Sequence, residues 1–124
     1  MIIGIGVDIV EIKRMERWTE NKNLLERFFH NDEISLASSR RNNEAQTFAS
    51  RFAAKEAFGK ALGTGLSNIA LKDIAVINSE NGKPQIKLYG TAQNEFNKSG
   101  ATKVHISISH EKENAIAMII LEKE

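Results

Sequence analysis

The stretch Phe52-Ala53-Ala54-Lys55-Glu56-Ala57-Phe58-Gly59-Lys60-Ala61 decides the fold, because it places charges in a helix that lacks a polar face. At helical period, residues 45–62 present Ala or Phe in every direction around the axis. Such a helix is normally buried, and charged side chains are rarely buried without partners. Four side chains therefore need a phosphate, a metal, one another or a neighbouring chain: Arg51, Lys55, Glu56 and Lys60. A surface pair between Glu56 and Lys60 is the simpler alternative.

A second acidic side chain stands near the N-terminus, on a segment that carries two glycines. Gly4, Gly6 and Asp8 share one face of a strand predicted near residues 2–8. The glycines remove the side chains that would hold another backbone or a ligand away from this face. The following residues have helical spacing and predict a helix over about 9–20. Asp8 is therefore either a ligand or the N-cap of that helix, with Glu11 completing a capping box.

Composition narrows the classes of function. The 124 residues predict a single domain over 1–124. The 17 basic and 16 acidic residues give a formal net charge of +1, so any anion site must be local and a general nucleic-acid binder is excluded. The absence of cysteine excludes disulfides, thiolate metal ligands and a cysteine nucleophile. The N-terminus lacks a signal-peptide pattern, and the longest apolar run, 115–121, is too short for a bilayer, so we expect a cytoplasmic protein.

The remaining pattern predicts an α+β fold. Besides the long helix, which ends before Gly63, short helices are expected at three places: 24–29, 31–39 and 91–99. Strands are expected at four further places: 74–77, 85–89, 104–109 and 115–121. We therefore predict a mainly antiparallel sheet packed with one long buried helix and several short helices. The last strand is apolar on both faces, which indicates a partner subunit on the sheet.

Three motifs occur in order along the chain: Gly6-Val7-Asp8, then Phe52-Ala53-Ala54-Lys55-Glu56-Ala57 with Lys60, and finally Val104-His105-Ile106-Ser107-Ile108-Ser109-His110. With Gly63-Thr64-Gly65, they resemble the holo-[acyl-carrier-protein] synthases, the small phosphopantetheinyl transferases of bacterial fatty-acid synthesis. The resemblance covers nearly the whole chain and implies the 4′-phosphopantetheinyl transferase fold. It also implies transfer of 4′-phosphopantetheine from coenzyme A to a serine of apo-acyl carrier protein, with release of adenosine 3′,5′-bisphosphate. The product would be holo-acyl carrier protein for fatty-acid biosynthesis.

The resemblance assigns roles to single residues. It implies that Asp8 and Glu56 bind Mg²⁺, a cation that usually takes one or two carboxylates and completes its shell with water and phosphate oxygens. Glu56 and Lys60 would be catalytic, Glu56 as a candidate for taking the serine proton and Lys60 as a phosphate contact. The sequence does not separate base from ligand at Glu56. Coenzyme A would contact five residues: Lys60, Arg51, Gly63, His105 and Ser109. For His105 and Ser109, a solvated strand face is the alternative.

The same resemblance implies which residues contact the carrier protein and the neighbouring subunits. Acyl carrier proteins are strongly acidic, so Arg14 and Arg17 on the predicted first helix are implied as their contacts. The family's site lies between subunits of a trimer, so we expect a homotrimer in which Arg51 serves the 3′-phosphate in a neighbour's site. Glu33, in the first turn of a predicted helix, is either a second proton acceptor or, as is ordinary for a glutamate there, a partner of the helix dipole. His110 begins a turn and is expected to be structural or exposed.

Two other classes of protein compete with the enzyme. A non-catalytic module would use its exposed sheet only to trimerise or to bind a protein, and it leaves Glu56 on an apolar helix unexplained. A nucleotide-binding regulator would need a P-loop or a third glycine after Gly4-Ile5-Gly6, and the sequence has neither. Only the transferase accounts for Asp8, Glu56 and Lys60 together.

Overall fold

The computed structural model describes residues 1–124 as five strands, five α-helices and short 3₁₀ turns. The strands are β1 (Ile2–Glu11), β2 (Ile74–Asn78), β3 (Pro84–Leu88), β4 (Lys103–His110) and β5 (Asn114–Glu122). The helices are α1 (Ile12–Met15), α2 (Lys22–Phe28), α3 (Asn31–Ser39), α4 (Glu44–Leu62) and α5 (Gly90–Ser99). None of the helices is both long and apolar enough to cross a membrane.

The strands form two antiparallel sheets where the sequence predicted one mainly antiparallel sheet, and the α+β class is as predicted. β1, β5 and β4 form a three-stranded sheet in that order, and β2 pairs with β3. α4 makes its most extensive contacts with β1 and β5. On the inner face of β5, the side chains near the start of the strand are small and apolar, and those near its end are larger. Ile119 and Leu121, at that end, are fully buried. The long helix is therefore covered by the sheet along its length, and 13 of its 19 residues are buried.

Two glycines allow β1 to approach α4 unusually closely. A Cβ atom added at Gly4 would lie 1.8 Å from the carbonyl oxygen of Ala61, and one at Gly6 would lie 1.9 Å from that of Ala57. Both oxygens belong to the helix backbone, so they cannot move aside as a flexible side chain would. Glycine is therefore the residue that fits at both positions, and the strand face predicted to be cleared by glycines is the face that contacts the helix.

Lys55, one of the four charged residues of α4, finds its partners inside the chain. Its ammonium group is fully buried and donates to Glu33 Oε1 at 2.6 Å and to two backbone carbonyls. The Glu33 carboxylate also accepts the backbone N–H groups of His30, at 2.9 Å, and Val76, at 3.1 Å. Because every polar atom of the pair is bonded, Lys55 needs no ligand, and Glu33 has a structural role beyond the first turn of α3.

The predicted helix over 9–20 is wrong, because β1 continues to Glu11. Ile9 pairs with Ile116 and Val10 with Ala115, so pairing of β-branched residues with β5 outweighs the helical spacing of the sequence. Only the four residues of α1 and a 3₁₀ turn at Trp18–Glu20 remain helical. Asp8 thus lies inside a strand, and the N-cap alternative for it is excluded.

The outer face of the three-stranded sheet is apolar and exposed. Ile5, Val7 and Ile9 of β1 are 61%, 44% and 61% exposed. Ile116 and Met118, their cross-strand neighbours on β5, are 39% and 44% exposed. The prediction that β5 is apolar on both faces is confirmed, and within the chain only one of those faces is covered.

Replacement of Gly6 by Ala tests the close contact between β1 and α4. The added methyl group would overlap a backbone oxygen, so we expect a loss of about 3 kcal/mol or more in the free energy of unfolding. Urea denaturation followed by circular dichroism measures it. Glu80→Ala, at an exposed position between β2 and β3, is the control and should change stability little. A Gly6→Ala variant as stable as its control would contradict the packing described here.

Candidate functional site

Asp8 and Glu56 meet where β1 crosses α4. Asp8 follows Gly6 by two residues and so continues the strand face that contacts the helix. Glu56 stands next to Ala57, the residue whose carbonyl faces Gly6. The two carboxylates are close enough for the Asp8 charge to raise the pKa of Glu56. The fold therefore brings together the two acidic residues that the sequence separates by 48 positions.

Glu56 has an electrostatic environment suited to proton transfer. Partial burial is the largest cause that raises the pKa of its carboxyl group, and the Asp8 charge adds to it. The positive charges of Lys60 and Arg14 act in the opposite direction. A carboxylate with a raised pKa accepts a proton more readily near neutral pH than an ordinary Glu does, which is what a general base requires.

Lys60 lies at the open side of the carboxylate pair. Its ammonium group donates to Asp8 Oδ1 at 3.1 Å and to the Val7 carbonyl oxygen at 3.0 Å. The simple surface pair between Glu56 and Lys60 is not formed, since the ion pair of Lys60 is with Asp8. The Lys60 side chain is 56% exposed, whereas that of Asp8 is only 20% exposed. An anionic ligand that approaches the carboxylates therefore meets an ammonium group at the entrance.

The donor set around Asp8 fits Mg²⁺. Two carboxylates supply hard oxygen ligands, and Mg²⁺ typically draws its other ligands from water and substrate phosphates. No third acidic, histidine or cysteine side chain joins the pair to form a cage made by the protein alone. Asp8 and Glu56 would hold the ion and leave the remaining coordination positions to a ligand.

Arg14 lies beside the carboxylates, whereas Arg17 does not reach them. The guanidinium carbon of Arg14 is 5.3 Å from the centroid of the Phe52 ring, within the range of a cation–π contact. Its charge also lowers the pKa of Glu56. Arg17 is exposed at the start of the 3₁₀ turn that contains Trp18, and it makes no side-chain hydrogen bond there.

Arg51 lines a separate polar cavity of about 190 Å³. The residue is 4% exposed, and its Nη1 and Nη2 atoms donate to Ser50 Oγ and Asn78 Oδ1, each at 3.0 Å. Its Nε atom is the one buried side-chain nitrogen or oxygen of the protein without a partner. Burial, together with the charge of Arg40, lowers the pKa of Arg51 to about 10, so the group stays charged at neutral pH. Arg51 and Arg40 line the same polar cavity, so the cavity is suited to an anion.

The cavity contains residues that the sequence did not single out as ligands. Arg40 and His110 line it, and Gln46 Nε2 lies 3.1 Å from His110 Nδ1. His110 was expected to be structural or exposed, and it is exposed; as the last residue of the third motif it also lines the same cavity as Arg51. Two signals could have pointed here: the final position of His110 in that motif, and the basic residue just before the long helix.

The other predicted coenzyme A contacts lie outside this cavity. His105 Nε2 is 2.8 Å from Glu122 Oε1, and both His105 and Ser109 are exposed on the outer face of β4. They neighbour β5 residues of the exposed apolar face. Gly63 ends α4 with a φ of 83°, three residues after Lys60. One chain alone therefore does not bring His105 or Ser109 to the Arg51 cavity.

Comparison with known proteins gives one consistent result. Residues 4–119 match the family model of the 4′-phosphopantetheinyl transferase superfamily. A holo-[acyl-carrier-protein] synthase from Treponema denticola is 52% identical over 122 residues, which cover 98% of this chain and 99% of that protein.

Solved structures agree in fold. A holo-(acyl-carrier-protein) synthase from Bacillus anthracis, in complex with CoA (3′,5′-ADP), is 36% identical and superposes with a TM-score of 0.82 over 100% of this chain and 99% of its own. A holo-[acyl-carrier-protein] synthase from Helicobacter pylori, in complex with coenzyme A, is 31% identical, with a TM-score of 0.82 over 95% and 99% of the two chains. The predicted fold class is thereby confirmed.

The raised pKa of Glu56 predicts a stability change of known sign. A carboxyl group with a raised folded-state pKa binds protons more tightly in the folded chain, so its ionisation destabilises the fold as pH rises above the ordinary value of 4.5. In magnesium-free buffer, Glu56→Gln should therefore gain stability relative to the wild type between acidic and neutral pH. Urea denaturation at several pH values measures this, with the exposed Glu80→Gln as control. If Glu56→Gln instead lost stability relative to the wild type as the pH rises, the environment assigned to Glu56 would be contradicted.

Proposed function

The chain belongs to the 4′-phosphopantetheinyl transferase superfamily, and on that premise we propose that it acts as a holo-[acyl-carrier-protein] synthase. It transfers 4′-phosphopantetheine from coenzyme A to a serine of apo-acyl carrier protein and releases adenosine 3′,5′-bisphosphate. The observation that carries this proposal is the meeting of Asp8, Glu56 and Lys60, in a chain whose full length matches relatives of that name. The product serves fatty-acid biosynthesis, and the cytoplasm is the proposed location.

The residues of the site suit the bond changes of this reaction. The serine oxygen attacks the β-phosphorus of coenzyme A, and the bond from that phosphorus to the oxygen shared with the α-phosphate breaks. Such phosphoryl chemistry needs positioning and neutralisation of charge more than covalent participation of the protein. Glu56 is proposed to take the serine proton, and Lys60 to contact the phosphates and neutralise charge that develops on the leaving group.

Mg²⁺ is the proposed cofactor, with Asp8 and Glu56 as its protein ligands. When bound, the ion would neutralise and orient the diphosphate of coenzyme A. Support comes from the pair of neighbouring carboxylates and from the absence of a third protein ligand, which leaves room for phosphate oxygens. Glu56 is proposed both as ligand and as base.

Arg51 is proposed to bind the 3′-phosphate of coenzyme A. Its charge at the wall of a polar cavity, with N–H groups that have no partner in the chain, supports a phosphate there, because guanidinium groups pair well with phosphate oxygens. Gly63, His105 and Ser109 are also proposed as coenzyme A contacts. The exposed position of His105 and Ser109, next to the apolar outer face, is compatible with contacts made in a site shared with a neighbouring subunit.

A homotrimer is the proposed assembly. The outer face of β1 and β5 exposes a row of large apolar side chains that a monomer would leave in water. Burial of this face between subunits would bring coenzyme A contacts of one chain to the carboxylates of another. The site would then be complete only in the assembly.

Arg14 and Arg17 are proposed to bind the acidic apo-acyl carrier protein. Arg14 suits this role because it is exposed and lies beside Glu56, where the acceptor serine must arrive. Its guanidinium is also held in place by the face of Phe52. Arg17 extends the positive surface further along the chain.

Intact-mass measurement of apo-acyl carrier protein tests the proposed activity. Incubation with coenzyme A, Mg²⁺ and this protein should add one phosphopantetheinyl group. The reaction should require Mg²⁺, and a carrier whose acceptor serine is replaced by Ala should stay unmodified. An unchanged carrier mass in the complete mixture would contradict the proposed function, and full modification in the presence of a chelator would contradict the proposed cofactor.

Arg14→Glu should weaken use of the carrier protein far more than use of coenzyme A. The substitution places a negative charge where an acidic partner would dock, so we expect KM for apo-acyl carrier protein to rise by about tenfold or more, with KM for coenzyme A little changed. Steady-state kinetics with each substrate varied in turn measures both constants. Lys13→Glu, with the same charge change at an exposed neighbour, is the control. Equal effects of the two variants would contradict a specific contact at Arg14.

The exposed apolar face predicts the mass of the assembly. Light scattering should give three times the chain mass of 13.8 kDa for the wild type. A double variant with Val7→Lys and Met118→Lys should dissociate, because it places charge in the centre of that face. Gln85→Lys, an exposed position on β3, should stay trimeric. A stable and active wild-type monomer would contradict the shared site.

A further inference from the structure

Arg51 is held by side chains that make no contact with the proposed reacting groups. Its Nη2 atom donates to Asn78 Oδ1, across 27 positions of the chain, and its Nη1 atom donates to Ser50 Oγ. Ser50 is the preceding residue of α4 and its hydroxyl donates to the Thr47 carbonyl, so it moves with the helix. Asn78 is therefore the one partner that ties the guanidinium to a different element of the fold.

Asn78 is the last residue of β2, and β2 is fixed against α4 by the buried ion pair. Lys55 donates to the carbonyl oxygens of Leu71 and Ile74, just before and at the start of β2. Glu33, the partner of Lys55, accepts the Val76 N–H in the middle of the strand. The ion pair therefore holds β2 against α4 at Lys55, which lies one helical turn from Arg51. The end of β2 is thus held at a defined distance from α4.

The hydrogen bond to Asn78 fixes the orientation of the Arg51 guanidinium and so the direction of its remaining N–H groups. With one N–H of each Nη engaged, the Nε–H and the second N–H of each Nη have no partner within the chain. Unpaired N–H groups of a charged side chain that lines a polar cavity are suited to pairing with a ligand oxygen. Without the Asn78 oxygen, the long Arg side chain could rotate and bond elsewhere in the polar cavity.

We propose that Asn78 is a positioning residue that sets Arg51 for the 3′-phosphate of coenzyme A. Asn78 acts through Arg51: its amide oxygen fixes one end of the guanidinium, and the N–H groups left unpaired then meet the phosphate. This inference rests on the proposed function and on Arg51 as its phosphate contact. It adds that recognition of the 3′-phosphate depends on a neutral side chain at the end of β2.

Coenzyme A and dephospho-coenzyme A, which lacks only the 3′-phosphate, provide the test. Loss of folded or active protein lowers kcat/KM for both donors by the same factor, so their ratio reports only recognition of the phosphate. We expect Asn78→Ala to lower the preference for coenzyme A by about tenfold, as for a hydrogen bond to a charged group. Asn78→Leu, which has the same branched shape but accepts no hydrogen bond, should do the same. Asn97→Ala, an exposed position on α5, is the control and should keep the wild-type ratio.

The outcomes separate the inference from the function on which it rests. If the wild type transfers from neither donor, the proposed function fails and this inference with it. If the wild type transfers from both donors without preference, transfer is established but the phosphate contact of Arg51 is not, and the inference is overturned. If the wild type prefers coenzyme A and both Asn78 variants keep that preference, the inference alone is wrong.

Discussion

The contact between β1 and α4 at Gly4 and Gly6 is the constraint on which the rest of the structure depends. Any side chain at these positions would meet a helix carbonyl at less than 2 Å. Because alternate residues of a strand share one face, the same contact carries Asp8 to the helix two residues later. The approach that packs the core thus also brings Asp8 to Glu56 and Lys60. A wider spacing of strand and helix would leave two unrelated surface carboxylates.

The charges of α4 show how one buried helix serves both stability and chemistry. Lys55 is fully satisfied by Glu33 and backbone carbonyls, so it belongs to the core. Lys60 has a partner but is exposed, and Glu56 is partly buried with its pKa raised by that burial. Arg51 keeps one buried donor free. The charged groups whose hydrogen bonds or charges are incompletely paired within the chain are the ones proposed to bind ligands or to transfer a proton. Proteins commonly depart from ideal packing at their functional sites.

Local patterns predicted most of the elements, because helices and strands depend on short-range spacing. The pairing of Asp8 with Glu56, 48 positions apart, was instead implied by the family resemblance. The end of α4 at Gly63, the β2–β3 hairpin and the apolar outer face of β5 are all as expected. The helix expected from residue 9 was wrong, since pairing with β5 is a long-range effect that spacing cannot reveal. The partners of Lys55 and Arg51 were missed for the same reason. The family is confirmed, whereas the roles of single residues stay predictions.

The most direct test of the shared-cation account is a double-mutant cycle on magnesium-dependent binding of coenzyme A. Calorimetry would compare the wild type with Asp8→Asn, Glu56→Gln and the double variant, each with and without Mg²⁺. If the two carboxylates hold one ion, each single variant should lose most of the magnesium effect and the double variant should lose little more. Additive losses, or a single variant that keeps the wild-type magnesium effect, would contradict the account.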